Sequence, residues 1–269
     1  MNRFAVTSIN ASVFAETMKV TRLGLGHLGH DCTDPGELSV PDDRTLIVFG
    51  TGFVRRSPPP LGSIIYNMEQ MTPARVEEMG GRDLFKRYTI WEYASSNLPV
   101  WHGFDVHAIH VPIGHLPEME TISPALEQDV DVLFYGWLSP RRQLVIDRLV
   151  SEGLTIKTFG NCFGSERDAW IGRSKVVLSV HFYDDLRILE MTRVAHCLGN
   201  GVCVVSEDGV DGEGFEEAVA FSTYDDLVAT CIRYVRDDVA RLDLAKRGQE
   251  TMRKMPMTRI LERALAVTP

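Results

Sequence analysis

From Asp131 to Glu207 short apolar runs alternate with longer stretches whose apolar residues recur every three or four positions, the rhythm of a parallel α/β sheet. The strands are VDVLFYG, LTIKTFG, VVLSVHFY and VCVVSE. WLSPRR opens the helix QLVIDRLVSEG, and SERDAWIGRSK and RILEMTRVAHCLGNG supply two more. The unusual polar residues collect where strands end and helices begin. In an open parallel sheet that edge binds ligands, because helix N-termini present free N–H groups to anions there. A phosphate-bearing ligand is the first expectation.

The first 117 residues repeat the pattern more faintly. FAVTSI, TLIVFG, SIIYNMEQM and FDVHAIHVP read as strands. FAETMKVTRLGLGHLGH and RVEEMGGRDLFKRY read as helices, the second broken at Gly80 and Gly81. Pro117 and Pro124 then stand in a polar stretch with the composition of an interdomain linker. The expected organisation is one α/β domain over residues 1–117 and a second over 125–255, meeting at a cleft and connected within residues 114–125. Beyond Glu207 come an acidic loop, EDGVDGEG, and a short strand, AVAF. The helix YDDLVATCIRYVRD follows, its start marked by Ser222 or Thr223 with Asp225 and Asp226 in the first turn. DVARLDLAKRGQETMRK continues the helical pattern until Pro256 interrupts it, leaving residues 256–269 as a separate terminal helix.

With 269 residues, 44% hydrophobic and 24% charged, the chain can bury one large core or two modest ones, and its length leans towards two. The five cysteines, Cys32, Cys162, Cys197, Cys203 and Cys231, form no CxxC pair and fit a reduced compartment. No apolar run approaches the ~18 residues of a membrane span, and MNRFAVTSINAS lacks the apolar core of a signal peptide, so a cytoplasmic location is expected. The net charge of −9 falls mainly on the second half. It argues against sequence-blind binding to DNA or anionic membrane while leaving room for a local basic patch.

Several motifs carry competing readings. Gly24, Gly26 and Gly29 spell the dinucleotide fingerprint, but they end a helical pattern instead of opening one, which favours a helix C-terminus and loop. Asp129 and Asp131 spell the D-x-D of metal-dependent sugar transferases, yet they begin a strand, opposite the ligand edge. His107, His110 and His115 cannot share one strand face, so no metal site is expected from them. Gly136-Trp137-Leu138-Ser139-Pro140-Arg141-Arg142 is stronger. Two cations in the first turn of a helix oppose its dipole unless an anion lies beside them, which points to phosphate contact. In RILEMTRVAHCLGNG, Ile188, Met191, Ala195 and Leu198 form the buried stripe, with Arg187, Glu190 and Arg193 off it. Glu190, in the first turn, either accepts hydrogen bonds from vicinal sugar hydroxyls or stabilises the helix dipole beside an exposed arginine.

DVLFYGWLSPRR, ERDAWIGRSKVVLSVHFY and RILEMTRVAHCLGNGVCVVSE, in that order, resemble the donor-binding half of GT-B glycosyltransferases. The likeness is to short bacterial and phage proteins related to the spore-maturation-type enzymes. FAETMKVTRLGLGHLGHD, IIYNMEQM, YTIWEYASSN and HVPIGHLP are similar to the acceptor half and interdomain connection of that family. The resemblance implies an α/β fold of two Rossmann-like domains facing across a cleft, the N-terminal one trimmed, with the terminal helix packing back on it. It implies a nucleotide diphosphate sugar as donor substrate, no separate cofactor and no metal. Gly136, Ser139, Arg141 and Arg142 would face the diphosphate, and Arg187 with Glu190 the sugar, ribose or phosphate. The second glutamate that many relatives carry eight residues on is Leu198 here. The acceptor is open between a small molecule, a glycan, a protein and a modified nucleic acid.

Arginines and helix N-termini can stabilise a leaving diphosphate without a metal. If transfer inverts configuration, Glu69 or Glu16 is the candidate base in the N-terminal domain, Glu69 because it follows SIIYN at its carboxyl end. If it retains configuration, no such base is required. The rival readings are a noncatalytic nucleotide-sugar-binding module and a nucleotide-sugar epimerase.

Overall fold

The computed structural model describes residues 1–33, 43–210 and 212–269, so Asp211 of the acidic loop lies outside the described residues. The chain divides into two compact units. One joins Met1–Leu116 to Met255–Pro269, and the other is Pro117–Lys254.

In the first unit the described residues run β1 (Arg3–Thr7), α1 (Ala15–His27), β2 (Asp31–Thr33), β3 (Thr45–Phe49), β4 (Ile64–Asn67), α2 (Pro73–Glu78), α3 (Gly81–Phe85), β5 (Thr89–Glu92), α4 (Leu98–Gly103) and β6 (Ala108–His110). The strands form a parallel sheet in the order β2-β1-β3-β4-β5-β6. Both faces are covered, which is why TLIVF and IIYN are apolar runs and not alternating patterns. Ala5, Leu46, Val48, Ile65 and Ile90 pack with Phe85 and Trp101 in one core. Phe49, Tyr66 and Trp91 meet in succession, the first pair tilted and the second edge-to-face, at ring separations of 4.7 and 5.8 Å. Trp91 Nε1 donates to Thr268 Oγ1 at 3.1 Å, beyond the terminal helix Met257–Val267. That helix runs against α1, where a Cβ on Gly24 would stand 2.7 Å from Leu261. Gly24 thus serves a close approach of two helices inside α1.

The second unit runs β7 (Val130–Tyr135), α5 (Pro140–Ser151), β8 (Ile156–Phe159), α6 (Gly164–Gly172), β9 (Ser174–Ser179), α7 (Met191–Gly199), β10 (Val204–Glu207), β11 (Ala220–Ser222), α8 (Leu227–Arg236) and α9 (Asp238–Arg253). Its sheet is also parallel, ordered β11-β10-β9-β7-β8. Val132, Phe134, Val176, Leu178 and Val205 pack against Val145 and Leu149 of α5, Leu227 and Cys231 of α8, and Leu244 of α9. All carboxyl ends of the strands therefore reach one edge.

Two boundaries and one burial differ from the sequence reading. The strand read through Tyr183 ends at Ser179, because the following His181 turns its N–H to the Glu207 carboxylate instead of continuing the ladder. The helix read from Arg187 begins at Met191, and Glu190 is its N-cap residue, not part of its first turn. Arg193, read as lying off the buried stripe, is 5% exposed. Strand β5 and helix α4, absent from the periodicity reading, are four and six residues long, too short to show a period. Among the described residues no helix is long and apolar enough to cross a membrane.

Candidate functional site

At the carboxyl edge of the second unit, Gly136 follows β7 with φ +130°, a conformation that favours glycine. A Cβ there would also stand 2.9 Å from Arg193 Nη2. Ser139 caps α5: its backbone is extended, its Oγ accepts from Arg142 N at 3.4 Å, and Pro140 occupies the first helical position.

The two arginines of that first turn diverge. Arg141 makes a two-pronged pair with Glu207, at 2.7 and 2.8 Å, donates to His181 O at 2.8 Å and Asp184 at 2.6 Å, and lies over the Tyr224 ring. Arg142 is buried between the rings of Phe134 and Phe182 and donates to Val180 O, Trp137 O and Glu190. Arg193 reaches the same glutamate from α7 at 2.6 Å, and it donates to Ser179 Oγ at 3.1 Å and Tyr135 O at 2.5 Å. The anion that the helix dipole demanded beside Arg141 and Arg142 is thus present in the protein itself, as Glu207 and Glu190. Burial alone would raise the Glu190 carboxyl, but the charges of Arg193 and Arg142 outweigh it and hold the group below its ordinary value. Glu207 follows the same balance, with the Arg141 and His181 N–H bonds outweighing burial.

Among the described residues, three buried nitrogens at this edge have no hydrogen-bond partner: Arg187 Nε, Arg193 Nε and His181 Nδ1. Burial lowers the affinity of His181 for a second proton. Its Nε2 donates to Asp208 O at 3.0 Å, which leaves Nδ1 as a bare acceptor. Arg187 lies in the loop before Glu190, pairs with Asp208 at 2.5 Å and keeps a 42% exposed side chain. Together with Arg141, Asp184, Glu207, Asp208, Thr223 and Tyr224 it lines an open hollow of about 380 Å³. At the opposite, amino edge, Asp129 pairs with Arg173, and Asp131 with Lys175 and Thr155 N.

Glu69 and Glu16 lie at the carboxyl edge of the first unit. Glu16 is half-buried in the first turn of α1, which follows β1. Glu69 follows β4; its Oε1 accepts from Gly52 N at 3.3 Å and its Oε2 meets Arg75 at 3.4 Å. The expected residues of the second unit thus gather at one edge, the two candidate bases at the matching edge of the other sheet. Sequence reasoning missed Glu207 and His181. The available signal was a charged or imidazole side chain closing a buried apolar run, VCVVSE and VVLSVHFY, where desolvation needs a partner.

No protein-family model matches the chain. The uncharacterized protein L140 of Acanthamoeba polyphaga mimivirus is 24% identical over 233 residues, covering 82% of this chain and 73% of that protein. Among solved structures, T4 phage BGT in complex with its UDP-glucose substrate aligns with a TM-score of 0.58 at 14% identity, over 97% of both chains. Trehalose-6-phosphate synthase OtsA aligns at 0.58 and 11%, over 94% of this chain and 76% of its own. TarM aligns at 0.56 and 12% over 89% of this chain, which spans about half, 54%, of the TarM chain. These structural neighbours are GT-B glycosyltransferases, and the likeness establishes the fold: α/β, with two Rossmann-like units each built on a parallel sheet.

Proposed function

We propose that the protein transfers a sugar from a nucleotide diphosphate sugar to an acceptor, as a member of the short GT-B type that its motifs resemble. The observation that carries this reading is the convergence of Arg141, Arg142, Arg187 and Arg193 on the carboxyl edge of one parallel sheet, where the Nε groups of Arg187 and Arg193 have no partner among the described residues. The T4 phage protein, matched over nearly its whole length, takes UDP-glucose, and a donor of that class suits this edge. In this reading the diphosphate lies in the hollow beside Arg187 and the N-terminus of α5. The pair Arg142 and Arg193 holds Glu190 with lone pairs free for sugar hydroxyls. As the glycosidic bond breaks, negative charge grows on the leaving diphosphate, and fixed guanidinium groups stabilise it without reorganising. Asp129 and Asp131 are bound to cations of the protein at the other edge, so the reaction proposed is metal-independent. A carboxylate of the first unit, Glu69 or Glu16, takes the acceptor proton if the transfer inverts.

Calorimetric titration with UDP-, GDP-, ADP- and TDP-sugars tests the donor site. One class binds, and Arg187→Ala weakens it by about one to two orders of magnitude, as loss of a charge-assisted contact worth ~1.5–3 kcal/mol requires. Undiminished affinity in Arg187→Ala would remove the diphosphate from this hollow.

A further inference from the structure

Glu92 closes β5 in the first unit and is fully buried, together with Asn67 at the end of β4 and Asn97 ahead of α4. A buried carboxylate needs donors on both oxygens, and Glu92 has four. Asn67 Nδ2 and Trp101 Nε1 reach Oε2, each at 2.7 Å; Asn97 Nδ2 and Ala94 N reach Oε1 at 2.9 and 3.1 Å. None of these groups belongs to the proposed donor site.

An asparagine amide presents donors on one side and an acceptor on the other, and the group it faces decides which way it lies. Ionised, the carboxylate accepts only, so it fixes both amides with nitrogen inward. Their remaining atoms then clasp one short piece of backbone. Asn67 Oδ1 accepts from Glu69 N at 3.2 Å and from Thr51 Oγ1 at 3.0 Å. Asn97 Oδ1 accepts from Met71 N at 2.8 Å. Both Nδ2 groups also donate to Glu69 O, at 2.8 and 2.9 Å. Every one of these backbone contacts depends on an amide orientation that Glu92 imposes, and the residue clasped is Glu69.

We infer that Glu92 is a positioning residue: through Asn67 and Asn97 it holds the backbone of Glu69, and so the direction of the Glu69 carboxylate at the carboxyl edge of the first sheet. The catalytic consequence rests on the reading of Glu69 as the base. The positioning itself does not. Glu92→Gln tests it, because the amide keeps the size of the carboxylate but sets an NH2 group against two of the four donors.

Two readouts separate the claims. Hydrogen exchange reads the clasp directly: in Glu92→Gln the amides of Glu69 and Met71 exchange about tenfold faster, while those of β4 and β5 keep their protection. Unchanged exchange at both amides overturns the inference. Kinetics read the consequence. Glu92→Gln lowers kcat about tenfold at constant donor KM, and adds nothing in a Glu69→Gln background, since groups acting through one another are not additive. A further loss in that background overturns the route through Glu69. A Glu69→Gln enzyme with wild-type turnover overturns the base role, and the exchange result still decides the positioning. Should Glu92→Gln not fold, Asn97→Ala removes the Met71 N acceptor and one Glu69 O donor, leaves three donors on Glu92, and gives the same readouts.

Discussion

Arg142 and Arg187 are both arginines at the proposed donor edge, but their surroundings assign them different costs. Arg142 is buried, and its loss strips Glu190 of one of two cations; Arg142→Ala is expected to lower stability by about 3–5 kcal/mol. Arg187 is 42% exposed, and Arg187→Ala is expected to change stability by only about 0.5 kcal/mol. Urea unfolding of the two variants checks the contrast, and equal losses would mean that the ion pair around Glu190 is not a structural unit. Glu92 supplies a pH test. Burial pushes its carboxyl up to about 7 from 4.5, against four hydrogen bonds that pull it down. A folded-state value above the unfolded one contributes stability that is fully present below about pH 4.5 and lost as pH rises through 7, on the order of 3 kcal/mol in all. Neighbouring Tyr66 is pushed upward, out of that window. The urea midpoint of the wild type therefore falls relative to that of Glu92→Gln between about pH 5 and 8. Parallel curves would show that Glu92 does not titrate there.

At the scale of elements, the opening of α5 is a local construction. Ser139→Ala removes the cap and is expected to cost about 1 kcal/mol, measurable as a shift in the thermal midpoint. An unshifted midpoint would mean that the 3.4 Å contact carries no weight. Such local features were legible in the sequence: a glycine that ends a strand, a serine and proline that start a helix, and apolar runs long enough to be buried strands. What escaped was set by partners far along the chain. Arg141 meets Glu207 from 66 residues away, and nothing near WLSPRR announces that carboxylate. Glu190 was readable as a helix-start residue, but its place between Arg142 and Arg193 depends on α5 and α7 meeting at one edge. The Glu92 clasp was invisible for a simpler reason. TIWE is four residues long, and a glutamate at its end reads as the start of a loop until four donors are seen to surround it.

For the whole molecule, two parallel sheets with ligand-type residues at their carboxyl edges make the GT-B fold, and the fold alone does not make an enzyme. A binding module would take up a nucleotide sugar and leave it intact; an epimerase would change the sugar and keep the diphosphate attached. Of these three, only a transferase releases nucleoside diphosphate. The most direct measurement is therefore release of nucleoside diphosphate from a panel of nucleotide sugars, with and without an acceptor mixture, in the presence and absence of chelator, for the wild type and Glu190→Gln. Release is expected from one donor class, enhanced by acceptor, indifferent to chelator, and reduced about tenfold or more in Glu190→Gln. Donor that binds but is never cleaved, or is converted without release of diphosphate, would contradict the proposed transfer.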